Sequence, residues 1–244
     1  MAGSAFVFDV LQDALGRQPS PPREVVIATA VAALLAVLIR PLWKVMRNFI
    51  TIAHEGGHAL AAVLSGRRLS GIRLHSDTSG LTLSRGRPNG PGMVITGLAG
   101  YITPSLLGLA AAAILGAGRI TILLWLLLVL LVAMLIMIRN LYGVISVVVA
   151  GAIIFAVSWF ADPRVQGAFA YAFAWFMLAG GVRAVFELQQ SRFRRQAPNS
   201  DADQIARLTR VPAIVFIGLF VLVVLGCLAF GVRLMLGPVE DLFG

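Results

Sequence analysis

Residues 50–64 read ITIAHEGGHALAAVL, an apolar run with two histidines and one glutamate at its centre. On an α-helix His54 and His58 are about one turn apart, so their imidazoles share one face, about 6 Å apart along the axis. Glu55 is turned by about 100° from His54. This is the His-Glu-x-x-His arrangement, in which both histidines bind one zinc ion and the glutamate is the general base that activates water.

The composition places this helix in a membrane. Of the 244 residues, 59% are hydrophobic and only 13% are charged, whereas soluble domains are about half apolar and about a quarter charged. A charged side chain at the centre of a bilayer costs at least ~2.5–3.5 kcal/mol, so an intramembrane cluster of His and Glu usually has a function. The alternative is a polar cluster that packs helices together, with Glu55 paired to an arginine.

Apolar runs long enough to cross a bilayer, which takes about 20 residues, recur along the whole chain. We predict an all-α polytopic membrane protein, one membrane domain with about seven transmembrane helices and a small β-hairpin after the HEGGH helix. The seven predicted spans are 24–41, 47–66, 92–117, 120–138, 141–160, 167–187 and 211–236. The predicted layout is a cytoplasmic N-terminal lead (1–23), the first two helices with HEGGH (24–66), a hairpin or gate segment (67–91), helices three to six (92–187), a basic cytoplasmic loop (188–210) and the last helix (211–236).

The β-hairpin is predicted from alternation in the polar segment that follows HEGGH. Ile72 and Leu74 alternate with polar residues, as do Leu81 and Leu83, and the turn-forming segment 76–80 separates the two runs. A strand edge can hold an extended peptide through main-chain hydrogen bonds. The glycines and prolines that follow the hairpin allow it to move as a gate, or serve only as a flexible connector.

The distribution of arginine and lysine predicts the orientation. With seven spans, 14 of the 20 basic residues fall on the side of the N-terminal lead, the hairpin and the loops near 139 and 187–210, and basic loops face the cytoplasm. The net charge of +9 is attributed to these loops and to anionic lipid of the bilayer. No basic patch is interleaved with aromatic residues, so nucleic acid is not a predicted partner.

The segment 50–74, ITIAHEGGHALAAVLSGRRLSGIRL, resembles the site-2 protease family of intramembrane zinc metallopeptidases, and looks closest to a compact bacterial branch of it. The resemblance covers about residues 45–145. It rests on HEGGH followed by Ala59-Leu60, on Gly66 at the helix end, on the hairpin, and on a small-residue helix that begins with LAGYITP at 98–104. The later segment SDADQIARLTRVPA, at 200–213, is also similar to the compact branch.

The resemblance implies a function and a location. It implies a bound Zn²⁺ cofactor and hydrolysis of a peptide bond in or near a membrane-spanning segment of a membrane-anchored protein substrate. It also implies a multi-pass protein of the bacterial plasma membrane. The distribution of arginine and lysine then predicts an active site that opens to the cytoplasm. The oligomeric state stays open.

A third zinc ligand is expected, because catalytic zinc usually keeps three protein ligands and one open position. The resemblance implies an aspartate on a later helix, in many members followed by glycine, but this chain has no Asp-Gly pair. Asp201 is the first choice, because it lies in the segment similar to the compact branch. Ser200 and Asp203 also read as a helix cap with acids in the first turn. The other candidates on the same side are Asp203, Glu187, Asp77, His75 and Asn140.

Two further residues are predicted near the substrate. Asn140 is a neutral amide and a poor zinc ligand, so we predict that it orients the substrate or the oxyanion. His75 is predicted beside the substrate in the hairpin turn, although a solvated loop histidine is the simpler interpretation. Two other functions remain open at this point: a catalytically silent scaffold, favoured by the missing Asp-Gly pair, and a transporter that uses the buried His and Glu, for which no internal repeat is found.

Overall fold

The computed structural model describes residues 16–194 and 199–237, which form a helical bundle with a two-stranded antiparallel sheet. In chain order the elements are α1 Arg23–Leu38, α2 Arg40–Leu64, β1 Arg68–Leu74, β2 Gly80–Arg85, α3 Pro91–Gly116, α4 Ile120–Met137, α5 Leu141–Phe160, α6 Pro163–Phe193, α7 Asp201–Thr209 and α8 Ala213–Leu236. The predicted helical membrane protein with a hairpin after HEGGH is thus confirmed in its main features. The seven separate spans are not.

Five helices are long and apolar enough to cross a membrane on their own, namely α3, α4, α5, α6 and α8. Helices α1 and α2 pass this test only as a pair, which bends by 100° at a short break. Ile39 at the break has an extended backbone, and Pro41 lies in the first turn of α2. Proline cannot donate the next helical hydrogen bond and its ring clashes with the preceding turn, so the helix stops there. The described residues therefore provide up to six spans.

The end of the N-terminal lead lies at the opposite end of the bundle from the hairpin. Gln18 donates its backbone N–H to Gly118 O at 2.8 Å, and its side-chain oxygen accepts from Thr121 N at 2.8 Å. Gly118 follows the C-terminus of α3, whereas the hairpin precedes the N-terminus of α3. Residues 16–22 thus lie near the end of α3 opposite the hairpin, whereas the predicted layout has the lead and the hairpin on one side. Residues 1–15 lie outside the described residues.

An ion pair between α2 and α6 supports this placement. Arg47 Nε lies 3.6 Å from Glu187 Oε2, although a layout of seven spans puts these two residues on opposite sides of the membrane. The physical reason is the bend of 100° at Ile39, because α1 and α2 pass the length and hydropathy test only as one bent pair, where two apolar runs predict two separate spans.

Helix α6 is longer than predicted and continues into the segment expected to be a basic loop. Two glycines within this helix are sites of close packing: a Cβ at Gly181 would lie 2.2 Å from Ser105 Oγ, and one at Gly180 would lie 2.7 Å from Ile50 Cδ1. Small residues allow membrane helices to approach closely, which is why the helix persists here. Residues 195–198 of the predicted basic loop lie outside the described residues, and α7 begins at Asp201.

Candidate metal centre

Two helices distant in sequence bring three potential ligands together. His54 and His58 lie on one face of α2, with their Nε2 atoms 3.0 Å apart. Asp201, the first residue of α7, places Oδ2 at 3.2 Å from His54 Nε2 and at 3.3 Å from His58 Nε2. One ligand atom from each residue lies within 4.8 Å of the others, so this group could hold a metal ion.

A backbone carbonyl fixes the orientation of His58. Its Nδ1 lies 2.7 Å from Thr96 O in α3. A carbonyl can only accept, so Nδ1 carries a proton and donates it, and Nε2 is the ring nitrogen that faces the cluster. Metal-binding histidines commonly donate their second ring nitrogen in this way, because the bond fixes the tautomer and the ring plane.

Glycines at the contact between α2 and α3 allow the two helices to approach closely and leave room for the two imidazoles. A Cβ at Gly100 would lie 2.5 Å from His58 Nε2 and 2.6 Å from His54 Cε1. A Cβ at Gly57 on α2 would lie 2.2 Å from Thr103 Oγ1. No side chain fits at either position, so these two glycines set the distance between the helices. Tyr101 then covers His54, with ring centroids 4.7 Å apart in an edge-to-face contact.

Helix α7 is anchored so that Asp201 points at the histidines. Ala202 and Ile205 are fully buried, and Ile205 packs against Gly97 of α3. Burial raises the pKa of the Asp201 carboxyl, but hydrogen bonds from His54 and His58 outweigh this effect and hold the pKa well below its usual range. The carboxylate is therefore ionised and available as a ligand.

Asp203, the closest alternative to Asp201, is engaged elsewhere. Ser200 is the N-cap of α7: its hydroxyl accepts from Asp203 N at 3.3 Å and donates to Asp203 Oδ2 at 2.5 Å. Arg192 Nη2 lies 3.0 Å from Asp203 Oδ1. The two acids that begin α7 thus divide their roles, because Asp203 is held by the cap and by an arginine while Asp201 faces the histidines.

Glu55 is buried beneath the hairpin. Its side chain is 3% exposed, and Thr82 of β2 donates its hydroxyl to Glu55 Oε2 at 2.6 Å. A Cβ at Gly80 would lie 2.4 Å from Glu55 Cγ. The inner face of β2 therefore rests on the glutamate that follows the first histidine.

The other predicted site residues do not join the cluster, which among the described residues consists of His54, His58 and Asp201. Asn140 bonds both backbone groups of Leu74. His75 lies in the exposed hairpin turn, where its Nδ1 is 3.3 Å from Ser79 Oγ. The remaining two alternatives have other partners: Glu187 pairs with Arg183 and Arg47, and Asp77 accepts from Ser79.

Sequence reasoning missed four residues that shape the site: Gly80, Thr82, Thr96 and Gly100. The sequence does indicate a role for Gly100, because the start of α3 is rich in small residues and a membrane helix of this kind is expected to pack closely. No sequence feature indicates the roles of Thr82 and Gly80, because their contact with Glu55 depends on the register of the hairpin.

The donor set suits zinc. Two imidazoles and one carboxylate form one of the usual three-ligand sets of catalytic zinc, with a fourth position left for water or substrate. The side chains of His54 and Asp201 are 19% and 18% exposed, so the group is reachable from outside the bundle.

Comparison with protein families gives a match over most of the chain. The sequence model of the family described as Peptidase M50B-like matches residues 27–231, which include the whole cluster. Comparison with curated proteins and with solved structures gives no significant match.

Proposed function

The chain belongs to the Peptidase M50B-like family, and from this membership we propose that it is an intramembrane zinc endopeptidase. Its substrate would be a membrane-anchored protein, cleaved in or near a membrane-spanning segment. The observation that carries the proposal is the convergence of Asp201 on His54 and His58, with the buried Glu55 next to them in sequence.

The residues of the cluster suit the chemistry of peptide hydrolysis. In this proposal His54, His58 and Asp201 hold the zinc ion, which when bound lowers the pKa of water towards ~7 and polarises the scissile carbonyl. Glu55 takes the proton of the attacking water and gives it to the leaving amine. The Thr82 hydroxyl engages Glu55 Oε2 at 2.6 Å, so this bond orients the carboxylate and leaves Oε1 for the proton.

The open edge of β2 suits an extended substrate. Gly80 pairs with Leu74 and Thr82 pairs with Ile72. In both pairs the β1 residue bonds away from β2, to Arg139 or Asn140, so the backbone groups of Gly80 and Thr82 also point away from β1. Among the described residues no backbone group bonds to this edge. A transmembrane helix must unwind to be cut, because its backbone is internally bonded, and an unwound segment can pair here.

The hairpin end is proposed to face the cytoplasm, and residues 16–22 then lie on the other side. Arginines of the described residues at the hairpin end outnumber those at the far end, which favours this orientation. At the hairpin end these are Arg67, Arg68, Arg73, Arg85, Arg87, Arg139, Arg192, Arg194, Arg207 and Arg210. At the far end they are Arg17, Arg23, Arg119, Arg164 and Arg233.

Two other functions have less support. The silent scaffold was favoured by the missing Asp-Gly pair, but Asp201 reaches the histidines without a following glycine. The transporter predicts broken helices in two equivalent halves. Among the described residues the bend near Ile39 is the only broken pair, and it has no counterpart in the second half.

The test compares membranes from cells that produce the wild-type protein or Glu55→Gln. Glu55→Gln removes the proton acceptor and leaves the three ligands in place, so it keeps its zinc and loses cleavage. Mass spectrometry of new protein termini is expected to find cuts within transmembrane segments that depend on Glu55. Zinc-loaded wild-type protein that produces no such termini would favour the scaffold.

A further inference from the structure

The carboxamide of Asn140 holds strand β1 by both backbone groups of one residue. Its Oδ1 accepts from Leu74 N at 3.1 Å, and its Nδ2 donates to Leu74 O at 2.6 Å. Next to this contact, Arg139 N donates to Ile72 O at 2.9 Å, and Ile138 forms a parallel bridge with Ile72. The break between α4 and α5 thus lies along β1 as a short third strand, which continues through the side chain of Asn140.

Asn140 makes this contact instead of a capping hydrogen bond to its own helix. It is the N-cap residue of α5, a position where asparagine commonly accepts from the backbone of the first helical turn. Its side chain makes no capping hydrogen bond. The carboxamide is instead used 66 residues away in sequence, on Leu74.

Two glycines provide the room for the third strand. A Cβ at Gly143 would lie 2.8 Å from Asn140 Oδ1, and a Cβ at Gly71 would lie 2.5 Å from Arg139 Cγ. Gly71 also lies at the irregularity in the β1–β2 register. Larger residues at these two positions would push the α4–α5 break away from the hairpin.

The contact continues across the sheet to Glu55. Leu74 pairs with Gly80, and Gly80 lies directly against the Glu55 side chain. Asn140, Leu74, Gly80 and Glu55 therefore form a row that leads from the α4–α5 break to the proposed catalytic base. Since β1 is bonded on one side to residues 138–140 and on the other to β2, its position sets the position of β2 over Glu55.

We infer that Asn140 is a positioning residue, which fixes the hairpin over Glu55 by clamping Leu74 and binds neither metal nor substrate. Its amide oxygen and its amide nitrogen each make one hydrogen bond to Leu74, so the inference gives Asn140 a different role from the sequence-based prediction of a contact with the substrate or the oxyanion. The inference rests on the proposed function in one respect, namely that Glu55 and the β2 edge serve peptide hydrolysis.

The test uses the full chain in detergent micelles and two zinc-directed probes. Acetohydroxamate binds the metal alone, whereas a tripeptidyl hydroxamate also needs the β2 edge for its main chain. The variants are Asn140→Ala and Asn140→Asp, of which the second keeps the acceptor for Leu74 N and loses the donor. The control is Gln166→Ala, because the Gln166 amide also makes two hydrogen bonds to the backbone, donating to Ser158 O at 3.2 Å and to Ala161 O at 3.0 Å, but at the far end.

Loss of the hydrogen bonds between Asn140 and Leu74 is expected to lower the affinity for the tripeptidyl hydroxamate about tenfold or more in both Asn140 variants, since up to two hydrogen bonds are removed. Acetohydroxamate affinity stays within about twofold and the zinc content is unchanged, because no ligand is touched. Amide exchange in residues 68–85 becomes about tenfold faster or more, as expected for an element that opens locally. Gln166→Ala changes none of these quantities at the hairpin end.

Three results would overturn the inference. Loss of zinc in Asn140→Ala or Asn140→Asp would indicate that Asn140 is a ligand. An equal loss of affinity for both hydroxamates would indicate a general structural role. Unchanged exchange of the hairpin would show that the clamp does not hold it. If the wild-type protein binds no zinc, the proposed function fails, and the exchange measurement, which needs no metal, still decides whether Asn140 positions the hairpin.

Discussion

Gly100 of α3 lies directly against the imidazole of His58, so closely that a Cβ on Gly100 would be 2.5 Å from His58 Nε2. The same Cβ would be 2.6 Å from His54 Cε1. The backbone of α3 is therefore one wall of the metal cluster, and the carbonyl of Thr96, one turn earlier, orients His58.

Gly100→Ala tests this wall. The added methyl group has no space and displaces both imidazoles, and overpacking of this kind costs about 1–3 kcal/mol. We expect zinc affinity to fall about 10–100-fold, measured by competition with a chelator of known affinity. Gly218→Ala on α8 is the matched control, because no atom lies within 4 Å of its added Cβ. Equal zinc affinity in Gly100→Ala and the wild-type protein would contradict the described packing.

Thr82→Val tests the support of Glu55 by the hairpin. The substitution keeps the shape of the side chain and removes the hydroxyl that donates to Glu55 Oε2 at 2.6 Å. A hydrogen bond to a charged group contributes about 1.5 kcal/mol or more, so kcat is expected to fall about tenfold or more with zinc content unchanged. Thr29→Val is the control, because Thr29 makes only a local bond to Val26 O within α1. A variant that cleaves at the wild-type rate would separate Thr82 from the reaction.

A labelling experiment tests whether the lead and the hairpin turn lie on opposite sides of the membrane. Gln18→Cys and Ser76→Cys, each made with Cys227→Ala, place one thiol in the lead and one in the hairpin turn. In sealed vesicles a membrane-impermeant maleimide is expected to label the two sites from opposite sides, because Gln18 bonds to Thr121, beyond the end of α3 that is opposite the hairpin. Labelling of both sites from one side would restore the layout with two separate crossings.

The difference between the predicted and the observed topology has a clear physical cause. The hydropathy pattern contains two apolar runs up to the end of the HEGGH helix. Hydropathy alone does not distinguish a bent pair of helices from two separate spans. The bend depends on the backbone at Ile39 and on Pro41, and the contact of Gln18 with Gly118 shows at which end of the bundle residue 18 lies. Counting arginines on a layout of seven spans then placed the lead on the hairpin side.

The site itself was more accessible to sequence reasoning. His54 and His58 follow from helical periodicity alone, because a spacing of four residues fixes a shared face. Asp201 came from a resemblance, and the helix cap that competed for it turns out to belong to Ser200 and Asp203. The roles of Thr82 and Asn140 were out of reach, since both depend on strand register and on a side chain that pairs with a backbone.

Metal removal is expected to loosen the N-terminal end of α7. The helix has nine residues, and its first residue is the only part that reaches the histidines. A ligand at 1,000 times its Kd stabilises the folded state by about 4 kcal/mol, so a chelator should lower Tm and speed amide exchange in 201–209. His54→Ala should show no such response to the chelator. Identical Tm and exchange with and without the chelator would mean that no metal links α2 to α7.

The zinc content of a matched pair of variants tests the central claim most directly. Asp201→Asn removes the carboxylate that lies 3.2 Å from His54 Nε2, whereas Asp203→Asn alters only the cap and the contact with Arg192. By elemental mass spectrometry we expect about one zinc per chain in the wild-type protein and in Asp203→Asn. Asp201→Asn should lose zinc, with an affinity reduced by more than the ~10–100-fold that follows loss of an outer-shell partner. Full zinc occupancy in Asp201→Asn, or loss of zinc in Asp203→Asn alone, would contradict the metal centre described here.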